Sequence, residues 1–199
     1  ALADDGLRRR KGGLLTTSSA SETPPLVSPH YYLMNALAPS AELVEADMPT
    51  LMATAPDVIV LADIATLPDA DTAALQAWVE DGGTLLRFAG PRVAQAAAEQ
   101  VETNPLLPVH LRAGGRALGG AMTWAEPRPL GDWPEASPFA GLVVPDDVTV
   151  TAQVLAQPDP DLPNKVIAQL ADGTPLVTWS RLGQGRLVLF HVTANAEWS

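Results

Sequence analysis

The chain has 199 residues and a formal net charge of −11, from 12 Lys and Arg against 23 Asp and Glu, and it contains no cysteine. That charge argues against nucleic-acid binding, because phosphate contacts need a basic face. The absence of thiols excludes a cysteine nucleophile, a disulfide scaffold and a thiolate metal site.

No apolar run approaches the roughly 20 residues that cross a bilayer, and no signal-peptide pattern opens the chain. Residues 1–12 read as a lead-in or linker, and 13–199 as one domain. Leu14–Ser18 is a short apolar and β-branched run, read as a buried strand. Ser28 followed by Pro29 is an N-cap with Pro at the first helical position, and Leu33, Ala36 and Leu37 give one apolar helix face before Pro39. Ala41–Ala46 reads as a second strand. Asp57–Asp63 is a continuous apolar run of the kind buried on both faces of a parallel sheet. A helix follows from Asp69, with Asp69 as its cap, Asp71 favouring its dipole and Leu75, Trp78 and Val79 as its buried stripe. Gly82 is placed to end it at positive φ. Thr84–Ala89 is the next strand, and Gly90-Pro91 starts a helix through about Val101. This strand–helix alternation predicts an α/β fold with a parallel sheet.

Residues 104–147 break the rhythm with Pro, Gly and Trp and read as an irregular insertion with short strands. From Val148 the pattern is β. Asp172-Gly173 and Gly183-Gln184-Gly185 are the turns of a three-strand antiparallel meander. The chain stops at Trp198-Ser199 with no closing helix and reads as a piece of a longer protein.

Several segments carry a resemblance. The strand PDVIVLAD (Pro56–Asp63) and the elbow VEDGGTLLRFAG (Val79–Gly90) resemble the class I glutamine-amidotransferase-like fold, and also trehalose-utilisation-type domains. Tyr31–Pro39, Asn104–Arg116, Ala171–Pro175, Gly183–Arg186 and the closing HVTANAEWS extend it. The full set resembles the soluble middle region of bacterial membrane proteins with an aerotolerance-regulator (BatA-like) N-terminus. The resemblance implies a flavodoxin-like or amidotransferase-like three-layer sandwich with a C-terminal antiparallel extension. It further implies a periplasmic domain of an inner-membrane protein, partnered by other cell-envelope proteins or by other domains of its own chain. No activity, substrate or cofactor comes with it.

An amidotransferase of this fold needs a Cys on a sharp strand-to-helix turn and a His-x-Glu pair. The corresponding turn, Phe88-Ala89-Gly90-Pro91-Arg92, offers no Cys, Ser or Thr, and His191 is followed by Val192-Thr193. The expectation is therefore a domain without catalysis. His191 reads as a satisfied, partly buried histidine, and His30 and His110 as surface residues. No two of the three share a metal-binding spacing. Open α/β sheets bind ligands beyond the carboxyl ends of their strands. That location makes Ser18, Asp63, Gly90 and Arg92 the candidate ligand residues, for a sugar or an anion. Asp63 either meets a ligand hydroxyl or caps a turn. Gly90-Pro91-Arg92 is either a structural turn or an anion site, which the missing N–H of Pro91 would weaken.

Trp124, Trp133 and Phe139 either pin the insertion to the core or form a recognition patch, for which Arg116, Trp124 and Arg128 are the candidate partner-binding residues. The leading expectation is a catalytically silent interaction module. A small-ligand sensor is the alternative, and a carboxylate- or metal-dependent hydrolase a third. The acidic stretch between Lys11 and Arg87 is either a solubilising face or one that meets a basic partner.

Overall fold

A computed structural model describes residues 10–16, 29–99, 104–112 and 121–194, with the backbone alone at 98 and 121–125. In chain order the elements are β1 (Arg10–Leu15), α1 (Pro29–Leu37), β2 (Ala41–Ala46), α2 (Met48–Ala53), β3 (Val58–Ala62), α3 (Asp69–Glu80), β4 (Thr84–Phe88), α4 (Pro91–Glu99), β5 (Ala121–Pro129), β6 (Thr149–Val154), α5 (Leu162–Lys165), β7 (Val166–Gln169), β8 (Pro175–Leu182) and β9 (Gly185–Phe190). Seven strands form one sheet in the order β2-β1-β3-β4-β9-β8-β7, and β5 and β6 pair in a separate antiparallel ribbon. β1 through β4 and β9 run parallel, and β7 and β8 join antiparallel. The chain is thus an α/β protein with a mostly parallel sheet.

Alternation along each strand sends successive side chains to opposite faces. Ile59 and Leu61 of β3 pack with Leu51 of α2 and with Leu75 and Val79 of α3, all fully buried. Val60, between them, packs with Leu14 of β1 and Leu33 of α1. Helices on both faces explain why β3 is apolar at every position. Burying one such side chain completely is worth about 1.5–3 kcal/mol. A third cluster joins Val93 and Ala94 of α4 to β6, β7, β8 and Leu189 of β9.

The α1, β2, α3 and β4 assignments are found within a residue or two of their expected limits. Gly82 ends α3 at φ +122°. Gly173 turns β7 into β8 at φ +83°, with the Asp172 carboxylate accepting from Thr174 N.

Other expectations are corrected. Arg10, Lys11 and Gly12, assigned to a linker, are the first half of β1, which ends at Leu15 rather than Ser18. Helix α2 was not expected. It forms because Asp47 accepts from Thr50 N and Pro49 occupies its first turn. Asp69 is not the cap of α3. The cap position is Pro68, which makes no side-chain bond, and Asp69 and Asp71 act only as acidic residues in the first turn. The C-terminal meander does extend the sheet antiparallel through β8 and β7, and its last strand, β9, also pairs in parallel with β4. His30 is not a free surface residue. Its Nδ1 lies 3.2 Å from Glu45 Oε1, and its side chain is 15% exposed. The expected Ser28 cap lies outside the described residues.

Candidate functional site at the strand carboxyl ends

β3 and β4 are adjacent and parallel, so their carboxyl ends open on the same edge of the sheet. Asp63 follows β3, and Gly90 links β4 to α4. The first helical position of α4 is Pro91, and its cap position is Gly90, which has no side chain to offer. Asp63 supplies the missing acceptor from the neighbouring strand. Its Oδ1 accepts from Gly90 N at 2.8 Å and Val93 N at 3.0 Å, and its Oδ2 accepts from Arg92 N at 3.2 Å. To aim the carboxylate this way Asp63 adopts φ +50°, a left-handed conformation that Asp tolerates better than most residues. Gly90 has to be glycine, since a Cβ there would stand 2.6 Å from the Asp63 carboxyl carbon and 2.7 Å from Thr193 Cγ2.

The sequence left Asp63 open between capping and ligand binding, and Gly90–Arg92 open between turn and anion site. The geometry joins the two questions: the N–H groups that would hold an anion already hold Asp63. Burial pushes the Asp63 carboxyl above its ordinary value, against the pull of Val93, Arg92 and Gly90 N–H and of the Arg92 charge. Replacing Asp63 by alanine is expected to cost about 2–3 kcal/mol. A lost cap accounts for about 1–2 kcal/mol and left-handed strain at Ala for the rest. Asn, which tolerates the conformation and keeps one acceptor, is expected to cost about half as much. Urea unfolding of both variants measures this, and equal costs for Ala and Asn would show that neither the cap nor the strain matters.

Arg87 lies beneath this turn. It is 3% exposed on the α2–α3 side of β4. Its Nη2 donates to Ile64 O at 2.8 Å and its Nη1 to Leu106 O at 3.5 Å. Burial pushes its guanidinium down to about 10, opposed by the Asp63 charge, so it stays a cation at neutral pH. Arg87 thereby ties the loop after β3, and the segment around Leu106, to the sheet.

A cavity of about 470 Å³ lies between the loop Asp63–Thr66 and the α4 face carrying Arg92, Gln95, Ala96 and Glu99. Gln95 Nε2 donates to Glu99 Oε1 at 3.1 Å. The cavity offers one cation, two carboxylates (Asp63 and Glu99), an amide and a hydroxyl beside Ile64, Ala65 and Ala96.

Of the sequence candidates, Asp63, Gly90 and Arg92 come together here, while Ser18 lies outside the described residues. Arg116 is likewise outside them, and of Trp124 only the backbone in β5 is described. Arg128 is exposed at the end of β5, and its charge adds to the Thr174 hydrogen bonds that hold the Asp172 carboxyl below its ordinary value. Trp133 and Phe139 are partly buried against the third cluster with ring centroids 5.2 Å apart, and Trp133 Nε1 donates to Leu142 O. These two aromatics pin the segment to the core. Sequence reasoning missed Arg87, Thr66, Gln95 and Glu99. The spacing of 92, 95, 96 and 99 on one helix face was the available signal for the last two.

His191 is fully rather than partly buried. Its Nδ1 donates to Val154 O at 2.7 Å, so its Nε2, 3.0 Å from Thr178 Oγ1, accepts from that hydroxyl. Burial pushes it down to about 4, so the ring is neutral at neutral pH. Among the described residues no three His, Asp or Glu side chains converge to hold a metal ion.

No family model matches this sequence. No curated protein matches it either. Solved structures do resemble the fold. A cytoplasmic protein of Salmonella typhimurium aligns over 86% of this chain and 78% of its own, with TM-score 0.67 and 17% identity. A second cytoplasmic protein of Salmonella typhimurium LT2 aligns over 84% and 77%, with TM-score 0.65 and 16% identity. The beta-galactosidase from Rahnella sp. R3 aligns over 92% of this chain but only 28% of the enzyme, with TM-score 0.65 and 10% identity. At these identities the likeness shows the fold alone. The periplasmic placement expected above is overturned: two of these neighbours are named as cytoplasmic proteins, and among the described residues no helix is long and apolar enough to cross a membrane.

Proposed function

We propose that this chain is a binding module without catalytic machinery of its own, and that it takes a small polar ligand at the carboxyl ends of β3 and β4. One observation carries the reading: the cavity beside Asp63 and Arg92, where an open α/β sheet places its ligands. The parallel strands run β2-β1-β3-β4-β9, which corresponds to the 2-1-3-4-5 order of flavodoxin-like sheets and supports the finer assignment to a flavodoxin-like or amidotransferase-like three-layer sandwich. Two facts favour binding over catalysis. The strand-to-helix elbow carries Ala89, Gly90 and Pro91 in place of a nucleophile, and both nitrogens of His191 are engaged inside the core.

The test is a two-dimensional amide NMR titration with neutral sugars and small anions. A ligand is expected to shift the amides of 63–66 and 92–99, and Arg92→Ala is expected to weaken an anion. If no sugar or anion moves these amides, the reading falls.

A second reading, an interaction module for another protein or for another domain of its own chain, is favoured by the exposure of Leu142 (62%) and Val143 (91%). Apolar side chains left in water at a segment tip fit a contact surface. Crosslinking capture by the wild-type chain that survives Val143→Asp unchanged would remove this segment from any interface.

A further inference from the structure

The cavity face of α4 carries two opposite charges, Arg92 and Glu99. Arg92 lies in its first turn, where α4 has no acidic residue, and Glu99 lies two turns further on, at the limit of the described residues. The helix dipole disfavours a cation in the first turn. Among the described residues neither side chain forms a salt bridge. Glu99 accepts a hydrogen bond from Gln95, and Arg92 faces the charge of Asp63, whose carboxylate is already held by three N–H groups. The dipole therefore does not account for Arg92, while Glu99 has its i,i+4 partner on the helix. Both line the same cavity.

Seven residues are almost two full turns, so the two side chains share a face and their Cα atoms stand about 10 Å apart along the axis. Ala96 keeps the floor between them low, and the loop carrying Thr66 forms the opposite wall. The result is a groove with Arg92 at one end, beside the Asp63 carboxylate that the three N–H groups hold, Glu99 at the other and hydrogen-bonding groups between.

We propose that the cavity takes an elongated bipolar ligand, with a carboxylate against Arg92 and an ammonium against Glu99. An extended chain spans about 3.3–3.6 Å per residue, so a free tripeptide has the matching length. This inference rests on the reading of the cavity as a ligand site. It commits that site to a zwitterion rather than to a neutral sugar or a simple anion.

The test titrates four probes into isotope-labelled chain and follows the amides of 63–66 and 92–99: triglycine, triglycine acetylated and amidated at its ends, glucose and inorganic phosphate. Triglycine is expected to bind and the capped peptide to bind about tenfold more weakly. Arg92→Gln and Glu99→Gln should each weaken triglycine about threefold, the scale of an exposed ion pair. The double exchange Arg92→Glu with Glu99→Arg should restore binding with the peptide reversed. Both positions are exposed, so unchanged spectra elsewhere will show that the variants fold. Equal binding of free and capped triglycine overturns the proposal. If triglycine fails while glucose or phosphate moves these amides, the zwitterion assignment falls and the ligand site stands. If no probe moves them, both fall.

Discussion

Replacing Arg87 by methionine is expected to lower the stability of the chain by about 3 kcal/mol, read as a drop in the urea midpoint at unchanged slope. Two opposing effects decide the sign. Methionine fills much of the volume and removes the cost of burying a guanidinium, and apolar replacement of buried ions is often nearly neutral when the whole ionic group is removed. Here it is not removed. Asp63 stays, held by the N–H groups of the turn into α4 and facing Arg92, and it loses the charge of buried Arg87. Ile64 O and Leu106 O lose their donors as well, at about 1–3 kcal/mol for each acceptor left dry. The losses exceed the relief. Arg87→Lys keeps the charge but not the planar fork, and is expected to cost less than the methionine variant. A methionine variant as stable as wild type would show that the loop after β3 holds its shape without Arg87.

Acid is expected to unfold the chain through His191. Its folded value of about 4 lies below the ordinary 6.5 of the unfolded chain, so between these limits the unfolded state binds the extra proton. Stability is therefore complete above about pH 6.5 and falls as the pH drops. The loss reaches about 3 kcal/mol near pH 4, with a limiting slope of about 1.4 kcal/mol per pH unit. The physical cause is that the pocket offers Val154 O and the Thr178 hydroxyl to a neutral ring, and a protonated Nε2 could no longer accept from Thr178. Asp63 acts in the opposite sense. Its carboxyl is pushed up by burial, so its protonation eases the acid end, and the His191 slope is best read above pH 5. His191→Gln will be less stable at pH 7, but its curve is expected to be flatter between pH 7 and 5. Parallel curves for the two proteins would remove His191 from the transition.

Much of the parallel half was legible because its signals are local. The run Asp57–Asp63, the stripe Leu75, Trp78 and Val79, and the Gly82 stop each lie within a few residues, and each marks its element. Helix α2 escaped because six residues show too little period, and its cap at Asp47 is visible only as a hydrogen bond. Arg87 was legible as a residue but not as a buried one, since an arginine in a strand usually snorkels to water. Gln153 escaped for the same reason. It is fully buried in β6 with neither amide atom bonded among the described residues, where alternation alone would give it to the solvent face. At the site, the residue types were legible and the partnerships were not. Asp63 and Gly90 are 27 residues apart, and their bond exists only because β3 and β4 lie side by side.

By itself the sequence determined the α/β alternation, the two tight turns of the C-terminal strands and the exclusion of thiol chemistry. Each follows from composition or from a period shorter than one element. Only the tertiary structure decided that β9 closes against β4 across a gap of about a hundred residues, that Asp63 is the cap of α4, and that Arg92 and Glu99 end on one cavity. Local periodicity records which face of an element is buried. It carries no record of which distant element covers that face, because that choice is made by packing and strand pairing between segments that meet only when the sheet closes.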